Sequence, residues 1–182
     1  MKREQTIGRG QATPEHIVIA TFQEASAAEQ GMAELHRLHD AGTVKVRAAA
    51  LLQRRAAGGW TAERKVDHLT FKGAIAGTLV GALLGALISP VAALLGSTFG
   101  LMGGELVDVV QDEARDLLLE TMVRHVPPGA TAIVADVEEK DGGDTLDVAM
   151  GRLGGQVKRW PRAEVMNALG TVDEAEPREE TT

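Results

Sequence analysis

The chain has 182 residues, of which 44% are hydrophobic and 25% are charged, both ordinary proportions for a globular protein. Its aromatic content of 3% and its formal charge of −7 argue against a nucleic-acid partner, which would need stacking surfaces or a basic face. The complete lack of cysteine excludes disulfides, thiolate metal sites and cysteine nucleophiles. The length suits one domain, or one domain with an insertion.

The charged residues are distributed unevenly along the chain. Residues 1–72 carry a formal charge of +3, residues 73–104 carry none, and residues 105–182 carry −10. The basic N-terminus lacks the apolar stretch of a secretory signal, and the acidic C-terminus has the composition of a disordered tail. We therefore expect a disordered start, two halves of one α+β domain separated by an apolar insertion, and a disordered tail, with boundaries at 1–15, 16–71, 72–105, 106–170 and 171–182.

The first half of the domain predicts a strand, a helix and two further strands. His16–Phe22 (HIVIATF) is a short run rich in β-branched residues, typical of a strand that is buried on both faces. Ser26 and Glu29 have the spacing of a capping box, and Gly42 is placed to end the helix that follows. The two further strands are predicted on either side of a Gly58-Gly59 turn, at Val44–Gln53 and Trp60–Thr70.

The second half predicts a helix, a strand, a short helix, an edge strand and a last short helix, at Leu106–Val126, Thr131–Val137, Asp144–Leu153, Gln156–Trp160 and Pro161–Leu169. Once the insertion is removed, the elements follow the order β-α-β-β-α-β with an α-β-α extension. That order is the ferredoxin-like arrangement. We therefore expect an α+β fold with a ferredoxin-like sheet domain that is interrupted by the insertion.

The insertion, Lys72 to Leu106, carries two sets of small residues at every fourth position, one before and one after Pro90. The spacing places each set on one face of a helix, where another helix backbone can approach closely, as in glycine-zipper packing. Glycine costs about 1 kcal/mol relative to alanine in a water-exposed helix, so the stripe suggests close packing or an apolar surrounding. We predict that it mediates helix packing and self-association through Gly73, Gly77, Gly81, Gly85, Gly96, Gly100 and Gly104.

The length of the insertion and its central Pro90 favour two helical arms. One continuous helix would be about 48 Å long and would overshoot a hydrocarbon core of about 30 Å, whereas each of two arms is about 24 Å long. Because proline breaks a helix interior, we expect a helical hairpin that turns near Ser89-Pro90. A hairpin keeps both halves of the sheet domain in one compartment, which we expect to be the cytoplasm. The hairpin either inserts in a bilayer or packs against protein.

The strand-helix-strand opening, the sequence Phe71-Lys72-Gly73-Ala74, the glycine-rich stretch and the acidic helix after it resemble an uncharacterised prokaryotic family, domain of unknown function 1269, whose members are described as predicted membrane proteins. The resemblance covers roughly residues 17–160. The layout is also similar to that of bacterial general-stress proteins with a ferredoxin-like start and a glycine-rich core. The resemblance implies membrane association and a role in stress response, and it supplies no site residue.

Candidates for chemistry are weak throughout the sequence. His36 and His39 lie three residues apart on the first helix, but no third ligand is suitably placed, so solvated histidines are the simpler interpretation. Asp141, Asp144 and Asp147 lack the spacing of a calcium loop, and Asp144 is better placed to cap a helix. No phosphate-binding glycine motif occurs, and the serines have no convincing base nearby. We expect no enzymatic activity, no metal and no cofactor.

Three classes of function remain. The first is a non-enzymatic, membrane-associated protein that self-associates through its hairpin, with lipid and further copies of itself as partners. The second is a homo-oligomeric interaction protein without a membrane, in which the hairpins of several subunits bury one another. The third, a ligand-binding or enzymatic domain, has no site residues to support it, because a fold alone does not supply a site. We expect neither a nucleic acid nor a small-molecule substrate as a partner.

Overall fold

The computed structural model describes residues 13–57, 59–62, 77–88 and 112–170. This part of the chain forms an α+β architecture with five strands and five helices. The strands are β1 Glu15–Phe22, β2 Val44–Arg54, β3 Trp60–Ala62, β4 Thr131–Glu139 and β5 Gln156–Pro161. The helices are α1 Ala25–Asp40, α2 Gly77–Ile88, α3 Asp112–His125, α4 Asp144–Arg152 and α5 Arg162–Leu169.

The strands form one antiparallel sheet in the order β3-β2-β4-β1-β5. The central strands β1 and β4 contain the continuous apolar runs 17–20 and 132–135, because a strand segment that is covered on both faces has no solvent side for polar residues. The predicted hairpin forms between β2 and β3, with Leu52 opposite Ala62. The prediction of β5 as an edge strand is also confirmed, since β5 pairs with β1 at one end of the sheet.

The α+β class is confirmed, whereas the roles that we assigned to individual strands are not. The sequence order made β3 the third strand of the sheet and left β4 to follow it. In the structure β3 is an edge strand, and β4 lies between β2 and β1. The physical reason is burial: eight of the nine residues of β4 are buried, and in the interior of the sheet its two edges are paired with strands while helices cover its two faces.

Helices cover both faces of the sheet. On one face, α1 and α4 pack over side chains that include Val18 and Ile133. On the other face, α2, α3 and α5 pack over side chains that include Ile17 and Val134. Neighbouring residues of a strand point to opposite faces, so β1 and β4 each contribute to both cores. The apolar run that predicted a doubly buried strand from His16 to Phe22 is explained by this three-layer arrangement.

The prediction for the start of α1 is wrong, and the prediction for its end is confirmed. The predicted capping box is wrong, because the helix begins at Ala25 with Glu24 as its N-cap, which places Ser26 inside the first turn. Gly42 follows the helix in the left-handed conformation with φ of 69°, as predicted. The disordered segments predicted for the two chain ends lie largely outside the described residues, although β1 already begins at Glu15.

Candidate interaction surface

The helix α2 lies on the sheet with its leucine face inward. Leu79, Leu83 and Leu87 are 4%, 0% and 8% exposed, and they belong to the core that β1, β2 and β4 share with α3 and α5. Their four-residue spacing places them on one side of the helix. Burial of three leucine side chains contributes roughly 5–9 kcal/mol before the entropic cost of ordering them. The leucines of α2 therefore fasten this helix to the protein's own sheet.

On the opposite side of α2, Gly81 is exposed. Apart from its chain neighbours and its own helix backbone, a Cβ built on it would meet no atom of the described residues within 4 Å. Ile88 lies seven residues further along, hence on the same side of the helix, and is 40% exposed. The helix carries no charged residue. We call the surface formed by Gly81, Gly85 and Ile88 the glycine face.

The glycines predicted to pack fall into two groups. Gly77, Gly81 and Gly85 lie in α2, at its first, fifth and ninth residues. Outside the described residues lie the predicted turn at Ser89-Pro90 and the second arm, together with Gly73, Gly96, Gly100 and Gly104. Close packing against Gly81 is not found within the described part of the chain. None of the described helices combines the length and the apolar character needed to cross a bilayer.

A buried carboxylate lies beside α4 at one end of the sheet. Glu139 is 0% exposed and accepts hydrogen bonds from Nε and Nη2 of Arg159 at 2.8 and 2.9 Å. The same guanidinium donates to Asp147 at 2.7 Å and to the Gly143 carbonyl at 3.0 Å. Hydrogen bonding to Glu139 is the main cause that holds the pKa of Arg159 above its ordinary value. His16 completes this Glu139 cluster, with Nδ1 lying 3.4 Å from Oε2 of Glu139.

A second buried carboxylate, Asp136, points to the other face of the sheet and is 1% exposed. Its Oδ2 accepts a hydrogen bond from Nε of Arg162 at 3.0 Å, and its Oδ1 accepts one from Nη1 of Arg47 at 3.3 Å. Arg47 also pairs with Glu15 and Glu138. In both clusters arginines occupy the carboxylate oxygens. These groups therefore join strands and a helix.

Sequence reasoning missed both clusters. The sequence did contain a signal for them, because Asp136 and Glu139 belong to a predominantly buried strand, and a carboxylate buried in such a strand must be paired. The sequence did not indicate which residues pair with these carboxylates. Arg47 precedes Asp136 by 89 residues, and Arg162 follows it by 26 residues, so only the folded sheet brings the three side chains together.

The two histidines of α1 do not converge on a common site. Nδ1 of His36 lies 3.0 Å from the carbonyl oxygen of Met32, within the same helix. Nδ1 of His39 accepts a hydrogen bond from the backbone N–H of Val46 at 3.1 Å, so it faces β2. Within the residues that the structure describes, no group of three His, Asp or Glu side chains is arranged to hold a metal ion.

The cap of α4 differs from the prediction. We expected Asp144 to cap this helix, but Asp144 is its first residue. The carboxylate of Asp141 takes that role, because it accepts hydrogen bonds from the backbone N–H groups of Gly143 at 3.0 Å and Thr145 at 2.9 Å. Hydrogen bonding by the Thr145 side chain is the largest cause that holds the pKa of Asp141 below its ordinary value.

A shallow groove runs between α1 and α4. Its apolar lining includes Leu38 and Ala149, and an exposed ion pair between Glu34 and Arg37, 2.6 Å apart, borders it. The Arg37 hydrogen bond is the main cause that lowers the pKa of Glu34. Small-molecule sites usually enclose most of their ligand. This groove is open and does not have that shape.

Comparisons with known proteins add no assignment. No protein-family model, curated protein or solved structure matches the chain. The resemblance to the family of unknown function therefore depends on the layout of the sequence alone. Among the described residues, the glycine face is the surface best suited to bind a partner.

Proposed function

We propose that the protein is a non-enzymatic self-association module in which the glycine face of one copy packs against the glycine face of a second copy. One observation carries this proposal: Gly81 is open, while Leu83, two residues away, is 0% exposed. Glycine in an exposed helix costs about 1 kcal/mol relative to alanine. Nothing in the described chain uses the space above Gly81, whereas the backbone of a second helix would use it.

The glycine face is suited to a partner identical to itself. Two copies related by a two-fold axis present the same surface to each other, so residues that repel their own kind are excluded from such an interface. α2 has no charged residue, and two glycine faces therefore meet without like-charge repulsion. Close approach of the two backbones adds many small dispersion contacts and allows Cα–H···O contacts between the helices.

Pairing between copies is better supported than insertion in a bilayer. In a membrane, Leu79, Leu83 and Leu87 would face lipid, but they are buried against the protein's own sheet. Moving them into lipid would also uncover the apolar sheet residues beneath them, and no lipid contact replaces that cover. Membrane association stays the second candidate, favoured by the uncharged stretch from 73 to 104.

The two buried carboxylates also support a non-enzymatic role. Glu139 and Asp136 are the most deeply buried acids of the described chain, and such groups are common at catalytic sites. Their oxygens are occupied by arginine side chains at 2.8–3.3 Å, which supports a structural role for both acids.

We further infer that β1, α1, β2, β4, α4 and β5 form a ferredoxin-like core. The strand order β2-β4-β1-β5 supports this assignment, as does the location of α1 and α4 on the same face. On this assignment the insertion lies in the segment between β2 and β4, and the helices α2 and α3 of that segment help to cover the second face. An antiparallel sheet commonly leaves one face exposed to water. Here α2 of the insertion helps to cover that face of the sheet, and its opposite side carries the glycine face.

Sedimentation of the full chain, with and without lipid vesicles, tests the proposed function. We expect the protein to sediment as an oligomer in buffer without detergent, and to stay with the lipid-free fraction when vesicles of neutral and anionic lipid are floated. A monomer at every concentration would refute self-association. If an oligomer forms only on vesicles, the result favours the second candidate, membrane association, over this proposal.

A further inference from the structure

We propose that Asp141 is a site of isomerisation to isoaspartate, and that the hydrogen bonds which cap α4 hold this reaction back in the folded protein. Asp141-Gly142 is the only Asp-Gly step in the chain. Both residues are exposed on the loop that joins β4 to α4. Glycine has no Cβ, so the backbone nitrogen after Asp141 is less shielded than at any other aspartate in the chain.

The reaction is an internal rearrangement that needs no cofactor. The backbone nitrogen of Gly142 attacks Cγ of Asp141. The new N–C bond forms as the C–OH bond of the neutral carboxylic acid breaks, and the hydroxyl leaves as water with the proton of the nitrogen. Water then opens the five-membered imide at either carbonyl. Opening at the side-chain carbonyl restores aspartate, whereas opening at the main-chain carbonyl leaves the backbone running through the side chain. No atom is oxidised, and the mass of the chain is unchanged.

The loop geometry opposes the first step. Oδ1 of Asp141 accepts a hydrogen bond from the Gly143 N–H at 3.0 Å, and Oδ2 accepts one from the Thr145 N–H at 2.9 Å. The carboxylate cannot turn toward the Gly142 nitrogen without losing these bonds. The hydrogen bonds also lower the pKa of Asp141, and an ionised carboxylate is a poorer electrophile than the neutral acid.

The product would disturb a neighbouring contact. Gly143 is buried against Arg159, where a Cβ would lie 2.5 Å from Nη2, and its carbonyl oxygen accepts a hydrogen bond from that atom at 3.0 Å. Isoaspartate lengthens the main chain at residue 141 and removes the carboxylate that caps α4. Gly143 would then shift relative to Arg159, which also holds Glu139. This effect concerns the face opposite to α2 and is independent of the glycine face.

Ageing of the full-length protein at neutral pH tests the proposal. Cleavage after arginine gives residues 125–152 as one fragment, which keeps Asp141 internal and includes Asp136, Asp144 and Asp147 as reference aspartates. Electron-transfer fragmentation then distinguishes isoaspartate from aspartate at each position. Thr145→Val removes, with little change of shape, the side-chain hydroxyl whose hydrogen bonding is the largest cause that lowers the pKa of Asp141. Leu83→Ala, on the other face of the sheet, controls for general loss of stability.

We expect isoaspartate to form at Asp141, and to form fastest in urea-unfolded protein. In folded protein, Thr145→Val should raise the rate by about threefold to tenfold, the factor that corresponds to one hydrogen bond. Folded Leu83→Ala should react at the wild-type rate. The proposal is overturned if the folded wild type reacts as fast as the unfolded chain, if Thr145→Val has no effect, or if Leu83→Ala accelerates the reaction as much as Thr145→Val.

Discussion

The ring of Phe22 lies directly against the backbone of Gly155, where a Cβ would be 2.5 Å from Cε1 and 2.7 Å from Cζ. Phe22 ends β1 and is 1% exposed, and Gly155 comes immediately before β5. The same ring lies beside Gly31 of α1, where a Cβ would be 2.8 Å from Cζ. Two glycines therefore provide the space in which this aromatic side chain joins β1, α1 and the start of β5.

This packing predicts that Gly155→Ala destabilises the protein. The new methyl group would force the Phe22 ring or the backbone to move, at a cost of about 1–3 kcal/mol in the free energy of unfolding. Urea unfolding followed by circular dichroism measures this loss. Gly151→Ala is the control, because a Cβ there meets no atom within 4 Å and alanine is favoured over glycine in a helix by about 1 kcal/mol. Equal stability of the two variants would contradict the packing described for Phe22.

The Glu139 cluster predicts a large effect from the loss of its arginine. Arg159→Met leaves the carboxylate of Glu139 buried without its partner, and such losses cost about 3–5 kcal/mol. The double variant Arg159→Met with Glu139→Met removes the unpaired charge and should recover much of that loss. Chemical denaturation of both variants measures the difference. A double variant that is less stable than Arg159→Met alone would contradict the prediction that the unpaired buried charge is the main cause of the loss.

The leucine face of α2 predicts a contrast between two leucines. Leu83 is 0% exposed, so Leu83→Ala should lower the free energy of unfolding by about 2–5 kcal/mol. Leu117 on α3 is 66% exposed, and Leu117→Ala should change the same quantity by less than about 0.5 kcal/mol. Urea titrations of the two variants make the comparison. If Leu83→Ala is as mild as Leu117→Ala, α2 does not dock on the sheet as described.

The Asp141 cap predicts a dependence of stability on pH. The pKa of Asp141 is lower in the folded protein, so its contribution to stability is present above the ordinary pKa of aspartate, about 4, and is lost as the pH falls through the folded value. Asp141→Ala should therefore be less stable than the wild type near neutral pH, with a deficit that shrinks in acid. Asp144→Ala removes a nearby charge without these hydrogen bonds and serves as the control. A deficit that stays constant down to about pH 2 would contradict the prediction.

Local features of the sequence were sufficient for much of the fold. The apolar run from His16 to Phe22 predicted a doubly buried strand, and in the structure its side chains alternate between two cores. Gly42 predicted the end of α1, and it follows that helix in the left-handed conformation. Strand partners were harder to predict, because the order of strands along the chain does not indicate which strand lies in the interior of the sheet. β4 was the better candidate for the sheet centre, since the run from Thr131 to Val137 is as apolar as β1.

The candidate surface was predictable in part. Four-residue spacing placed Gly77, Gly81 and Gly85 on one side of a helix, and α2 has that arrangement. The spacing did not indicate what the opposite face would contact. A leucine side chain such as that of Leu83 is equally compatible with lipid and with a protein core. Only the folded structure shows that Leu83 packs in the core formed with the sheet. The arginine partners of Glu139 and Asp136 were hidden for the same reason, since they come from other elements of the chain.

The oligomeric state of Gly81→Leu, measured beside that of Gly151→Leu, tests the glycine face most directly. Both glycines are exposed helix residues, and an added Cβ at either one meets no atom of the described residues within 4 Å beyond its own helix backbone and chain neighbours. The two variants therefore differ chiefly in the surface that receives the leucine. We predict that sedimentation equilibrium will find Gly81→Leu dissociated, and that Gly151→Leu will associate as the wild type does. Unchanged association of Gly81→Leu, or equal dissociation of the two variants, would contradict the assignment of this face as the interface.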